Sequence, residues 1–260
     1  LFSHKIPFNF NLFPAFSVWA RWVWSPEAGK FVNSEGEASD AAEEQYQYAL
    51  QFYRERDLDE TIEQLKNIVK KYPQSKVAPD AQYRLGTVYE EKNDYLKAFE
   101  SYKSLVETYP HYRSFDEVIE RLYRIGNLFY AGKRAKLWGL EILPSLPRAI
   151  EVYSFITKQA PFGESGDNAQ LQLALAYKKS GRYQEAMDAL QTLIDQYPQS
   201  DLLPEARFQL AETAFDRSNN EYRDQRSLDE AGKQVGRFLS RHPTSSETEK
   251  AEKLKQASDE

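Results

Sequence analysis

The groups able to do chemistry in this chain are few. Its 260 residues include no cysteine and only three histidines, His4, His111 and His242. Without a thiolate there is no disulfide, Cys-ligated zinc, thiol nucleophile or c-type haem attachment. His111 follows Pro110 and His242 precedes Pro243, so both belong to turns. Two exposed turn histidines in distant segments do not meet, and a general base must reach its proton donor. Carboxylates are plentiful but interleaved with lysines, as Glu63 is with Lys66 and Glu247 with Lys250, the pattern of a solvated face. No P-loop, His-Glu-x-x-His pair, nucleophile elbow or dinucleotide fingerprint occurs. The expectation is a protein without catalytic, metal or cofactor sites and without a small-molecule substrate. What remains is 17 tyrosines and 4 tryptophans, whose chemistry is recognition: rigid apolar area with a hydrogen-bonding end.

Composition narrows the partners. Acidic residues number 40 against 34 basic, a net charge of −6, so nucleic acid is not expected. With 41% hydrophobic and 14% aromatic residues, the chain is not disordered throughout. Residues Ile6 to Ala20 carry no charge, follow Lys5 and end Val18-Trp19-Ala20. They are too few to span a bilayer, which takes about 20. The sequence starts at Leu1 rather than Met, and residues 1–20 are read as a truncated secretory signal. Trp22, Trp24 and Phe31 alternate as one face of a short strand would, with Pro26 and Gly29 forming a turn. Trp22 and Trp24 are expected to dock on the fold or on a partner. Ser34 to Asp40, small and acidic, reads as a linker.

The rest is periodic. Tyr-Pro pairs stand at Tyr72-Pro73, Tyr109-Pro110 and Tyr197-Pro198, with Ala160-Pro161 and His242-Pro243 as degenerate versions. The prolines are 37, 51, 37 and 45 residues apart, a period with two insertions. Each unit predicts two amphipathic helices. Ala81, Leu85, Val88 and Tyr89 share one helical face, and Ala98, Tyr102, Leu105 and Val106 share another. Asn93-Asp94 turns between them, and Tyr109-Pro110 stops the second helix.

These residues resemble tetratricopeptide repeats. The small packing residue, aromatic, small residue and late proline of that signature fall at Gly86, Tyr89, Ala98 and Pro110 in the second unit. The third has Gly126, Phe129, Ala149 and Pro161, and the fourth has Ala174, Tyr177, Ala186 and Pro198. The first carries Ala49, Phe52, Thr61 and Pro73, and the fifth Ala211, Ala214, Ala231 and Pro243. The resemblance implies an all-α right-handed superhelical solenoid of five helix pairs over about residues 40–246, with a capping helix at 247–257. The units fall near 40–76, 77–113, 114–164, 165–201 and 202–246.

The order of units, two compact repeats, a third enlarged by an insertion at Ala131 to Ser145, and two more, resembles the BamD-type component of the outer-membrane β-barrel assembly machinery. That resemblance implies a periplasmic scaffold at the outer membrane. Its C-terminal repeats would hold a POTRA-bearing barrel protein, and its N-terminal repeats would accept C-terminal signals of unfolded barrel clients. The family is anchored by a lipidated Cys, and this sequence contains none, so peripheral attachment through partners or Trp22 and Trp24 is expected. A general envelope adaptor of the Tol–Pal-associated repeat type is the alternative.

In such arrays the first helix of each unit lines the concave face. The residues expected there are Tyr46, Leu50, Tyr53 and Arg54, then Tyr83, Thr87 and Glu90, then Tyr123, Asn127 and Tyr130. A client ending in an aromatic carboxylate would stack on Tyr46 and Tyr83 and pair with Arg54. The third-unit insertion adds Lys136, Trp138 and Leu140 as a contact loop, since Trp beside cations is typical of binding hot spots. The polar stretch Ser218 to Arg226 reads as a solvated loop that touches a partner's periplasmic domain.

Overall fold

The computed structural model describes residues 22–25, 30–132, 136–137, 140–141, 145–221 and 225–259, with side chains over 40–132, 145–218 and 228–258. Five helix pairs follow one another: α1 (Ser34–Arg54) and α2 (Leu58–Lys71), α3 (Ala78–Glu91) and α4 (Tyr95–Thr108), α5 (Phe115–Ala131) and α6 (Leu146–Gln159), α7 (Gly166–Lys179) and α8 (Tyr183–Gln196), and α9 (Leu203–Glu221) and α10 (Gln225–Arg241). A final helix, α11 (Thr248–Asp259), covers α9 and α10. Each helix packs on its neighbours in sequence, so the body is a solenoid of paired helices.

The turns repeat as closely as the helices. Within a unit, the residue before the N-cap of the second helix takes a left-handed conformation in three units: Arg56, Asn93 and Gly181, with φ of 66°, 58° and 77°. Asp57 and Asp94 follow as N-caps, accepting from the backbone N–H of Glu60 and Lys97. Between units, Tyr72, Tyr109, Ala160, Tyr197 and His242 each offer a carbonyl to the residue three positions on. The Tyr-Pro tyrosines do more than end helices. Tyr109 donates its hydroxyl to the Pro73 carbonyl at 2.9 Å, and Tyr197 donates to the Pro161 carbonyl at 2.6 Å. Each ties its turn to the turn of the preceding unit.

Inside the units, paired helices approach where a side chain is missing. A Cβ on Gly86 would lie 2.2 Å from the ring of Tyr102, and one on Gly126 would lie 2.7 Å from that of Tyr153. Both rings are fully buried. A buried amide crosses two of the pairs: Gln82 on α3 donates to the Ser101 carbonyl of α4, and Gln170 on α7 to the Ala189 carbonyl of α8, both at 2.9 Å. These bonds satisfy polar groups that would otherwise be costly in the core.

Two expected irregular segments are helical. Ser34 to Asp40 opens α1 rather than linking to it. The stretch from Ser218 lengthens α9 to Glu221, and α10 starts at Gln225. Neither stretch contains a proline to stop a helix. Ahead of α1, β1 (Trp22–Ser25) pairs antiparallel with β2 (Lys30–Asn33), Trp24 opposite Phe31. In the third-unit insertion, β3 (Lys136–Leu137) pairs with β4 (Leu140–Glu141). Trp138 and residues 1–20 lie outside the described residues, as do the side chains of Trp22, Trp24, Lys136 and Leu140.

The clash at Gly86 sets a stability test. Alanine would gain up to about 1 kcal/mol of helix propensity. It would also drive a methyl into a buried ring whose hydroxyl is held by Glu90. The overpacking term, about 1–3 kcal/mol, wins, so Gly86→Ala is expected to lower the denaturant midpoint. The double variant Gly86→Ala/Tyr102→Leu recovers part of the loss, because leucine faces alanine at the equivalent Ala174 and Leu190.

Candidate peptide-binding face

The first helices of the units, α1, α3, α5, α7 and α9, form one row. At a fixed place in that row stand Tyr46, Tyr83, Tyr123, Leu171 and Phe208. The three tyrosines are half-buried, while Leu171 and Phe208 are buried. The tyrosine-lined face therefore belongs to units one to three and stops at α7.

Polar bridges thread this face from repeat to repeat. Tyr53 on α1 donates to Glu91 on α3, and Arg56 reaches the same carboxylate at 3.1 Å. Tyr83 on α3 donates to Glu117 on α5 at 2.5 Å. Arg121 on α5 reaches back to Glu90 at 3.2 Å and also holds Glu117 at 3.0 Å. Glu90 in turn accepts from Tyr102 at 2.5 Å. Burial first, and that bond second, push the Tyr102 hydroxyl far above its ordinary pKa. Glu90 is thus committed to packing rather than open to a ligand. Thr87 likewise donates to the Arg84 carbonyl of its own helix, at 2.9 Å.

In unit three, Asn127 accepts from Tyr153 at 2.6 Å, and Tyr123 lies 6.0 Å from the Tyr153 ring. The Tyr130 ring carries the Lys179 ammonium 4.5 Å from its centroid. Lys178 on α7 pairs with Glu212 at 2.5 Å and Asp216 at 3.3 Å on α9. The row beyond unit three is therefore closed by ion pairs.

One cation stands apart. Arg84 lies beside Tyr83 in sequence, and its guanidinium sits 5.1 Å over the Tyr53 ring. Burial raises the pKa of the Tyr46 hydroxyl, and the neighbouring Arg84 charge pulls it part-way back. Among the described residues Arg84 pairs with no carboxylate, and its Nε is buried without a hydrogen bond. Arg84 thus lies over the Tyr53 ring and beside the Tyr46 hydroxyl. Sequence reading assigned this role to Arg54, which is exposed at the end of α1 and joins no ion pair among the described residues. Leu50, half-buried one turn from Tyr46 and Tyr53, adds apolar surface. Arg84 was missed because it is one residue off the face defined by Tyr83, Thr87 and Glu90. Its long stem reaches sideways to α1.

His242 is also not the exposed turn residue expected. It is half-buried 5.5 Å from the Phe238 ring and sits 3.0 Å from Arg207 Nη1. Burial, then the charges of Arg207 and Arg241, lower its pKa, so the neutral ring accepts from Arg207. Among the described residues no group of three or more acidic or histidine side chains is arranged to hold a metal, and no helix is long and apolar enough to cross a membrane.

Comparison with known proteins follows the same division of the chain. A tetratricopeptide-repeat family model matches residues 45–75 and 80–112, the first two units. The YfiO family model, described as outer membrane lipoprotein, matches residues 145–258, from α6 to α11. Over these residues the chain is similar to BamD-type and tetratricopeptide-repeat proteins. No curated protein sequence matches it. Similar solved structures include a tetratricopeptide repeat protein from Parabacteroides merdae, 19% identical over 79% of this chain and 68% of that one, with a TM-score of 0.39. Another is the thermophilic repeat protein TTC0263 of Thermus thermophilus, 20% identical over 84% and 98%, TM-score 0.37. YrrB, titled a repeat protein with an unusual peptide-binding site, is 15% identical over 85% and 98%, TM-score 0.41. At these scores the BamD-like solenoid rests on its own helix packing. Both matched families are protein–protein scaffolds, and this chain is one in the same sense.

The bridge across units two and three gives a pH test. The Tyr83 hydrogen bond, and then Arg121, hold the Glu117 carboxyl below the usual range. A depressed carboxylate stabilises the fold above its unfolded pKa, and that stability is lost as pH falls through the folded value. Tyr83→Phe is expected to raise the Glu117 pKa toward the ordinary range, measured by carboxyl-carbon NMR titration. An unchanged titration would show that Arg121 alone sets it.

Proposed function

We propose that this chain is a periplasmic scaffold in outer-membrane β-barrel protein assembly. In this reading units one to three take extended client peptides, and units three to five hold a POTRA-bearing barrel partner. The observation that carries it is the pairing of two features on one solenoid: the YfiO match over residues 145–258 and Arg84 beside Tyr46 and Tyr53, which joins no ion pair among the described residues. A peptide ending in an aromatic residue would lay its ring on the tyrosine row. Its terminal carboxylate would pair with Arg84, a charge-assisted contact of the stronger kind. Leu50, Tyr83, Tyr123 and Tyr130 would extend the contact along the row, and the α5–α6 insertion with Lys136, Trp138 and Leu140 would meet the partner. Trp22 and Trp24, on the β1 strand, would supply peripheral contact with a partner or the membrane surface. No chemistry is assigned to the chain, and no cofactor.

The test is direct binding. A fluorescent peptide with the C-terminal ten residues of an outer-membrane barrel, ending in Phe with a free carboxylate, is expected to bind the full chain. Amidating its terminus, or Arg84→Ala, should weaken binding about tenfold or more, the size of a lost charge-assisted bond. Equal binding of the free and amidated peptides would remove the carboxylate role. Affinity capture from a detergent-solubilised envelope checks the partner: recovery of Tol–Pal proteins in place of a POTRA-bearing barrel would move the chain to the alternative adaptor role.

A further inference from the structure

The second helices form the opposite row of the solenoid, and the grooves between them differ in chemistry. Between α4 and α6 the groove is shut. Phe99 and Phe155 meet edge to face at 6.2 Å, Lys103 lies over both rings, and its ammonium pairs with Glu151 at 3.8 Å. Between α2 and α4 the corresponding groove is open, with a cavity of about 530 Å³. Its floor is α3, through Leu85 and Tyr89, with Val69 on the α2 side.

Three lysines rim this cavity, Lys66 and Lys70 one turn apart on α2 and Lys97 on α4. The Lys66 and Lys97 ammoniums lie 5.7 and 5.6 Å from the Tyr89 ring centroid. Lys97 is paired with Asp94 at 2.8 Å, whereas Lys66 and Lys70 join no ion pair among the described residues. Glu100 is the single carboxylate of the lining, against three ammoniums, on a chain whose net charge is −6. The buried polar groups of the floor are satisfied within the protein. Gln82 donates to the Ser101 carbonyl, and Ser101 donates to the Lys97 carbonyl at 2.7 Å. The Tyr89 ring is buried, while its hydroxyl makes no hydrogen bond among the described residues and is open to solvent. An apolar floor rimmed by three lysines, with an open hydroxyl on its aromatic ring, is complementary to carboxylates set beside an apolar side chain.

We propose that the α2–α4 groove is a second docking site, for an acidic peptide segment of a protein partner that carries a bulky apolar side chain beside its carboxylates. The apolar side chain enters over Val69 and Leu85. One carboxylate accepts from the Tyr89 hydroxyl and pairs with Lys97, and a second meets Lys66 and Lys70. The site lies on the opposite row from Arg84, so both segments can be held at once. It uses side-chain carboxylates, not a chain terminus.

The probe is a labelled 12-residue peptide that alternates Glu with Leu and Phe, acetylated and amidated so that it has no terminal charges. Binding to the full chain is followed by fluorescence anisotropy at low and moderate salt. Binding is expected, and Lys66→Glu/Lys70→Glu should weaken it about tenfold or more, since both lysines are exposed and the variant keeps the fold. Tyr89→Phe keeps the ring and should weaken binding roughly threefold or more. Arg84→Ala should leave it unchanged. Absence of binding, indifference to the charge reversal, or loss of binding in Arg84→Ala overturns the proposal. Vesicles of phosphatidylethanolamine with phosphatidylglycerol form a parallel arm. If they are retained through these lysines while the peptide is not, the groove is a lipid contact and the peptide site is refuted.

Discussion

The closeness of the two helices in units two and three rests on an absence, the missing Cβ at Gly86 and Gly126. The space each leaves is taken by a tyrosine ring from the second helix of its unit. In unit two that ring does more than fill volume. Its hydroxyl emerges at Glu90, Glu90 holds Arg121 of the next unit, and Arg121 holds Glu117, which accepts from Tyr83. A contact inside one repeat is thereby linked to the polar bridge between repeats. In a solenoid, where each unit touches only its neighbours, such a link couples intrinsic and interfacial stability.

The two rows of helices divide the work. The first-helix row offers tyrosines in units one to three, then turns apolar and ion-paired from α7 onward. That change sets the length of the candidate peptide face at three units. The YfiO match begins at α6, near where the tyrosine row ends. Arg84, beside this face, joins no ion pair among the described residues. Most neighbouring cations have a carboxylate: Arg56 has Glu91, Arg113 has Asp80 and Arg121 has Glu90.

The second-helix row varies groove by groove. Aromatic packing and one ion pair close the groove between α4 and α6, while the groove between α2 and α4 keeps Lys66 and Lys70, which join no ion pair among the described residues, over an apolar floor. Identical backbone architecture thus carries different surface chemistry, because a repeat fixes the helix positions but leaves outward side chains free to differ.

The sequence by itself determined the period, the number of helix pairs and the pairing logic. Those follow from local rules: a proline that stops a helix, apolar residues returning every third or fourth place, and a small residue facing a large one. The same local rules misled at Ser34 to Asp40 and at Ser218 to Glu221. Small polar residues there lack an apolar face, yet a helix already packed further along extends through them at little cost. Only the tertiary structure decided which tyrosines are engaged. Tyr109 and Tyr197 tether turns one repeat away, Tyr102 and Tyr153 fill the place of a side chain that glycine lacks, and His242 became a half-buried acceptor for Arg207. It also left Arg54 exposed at the end of α1 and set Arg84 over the Tyr53 ring. Reach between neighbouring units depends on the separation and tilt of helices packed side by side, and a one-dimensional pattern carries neither.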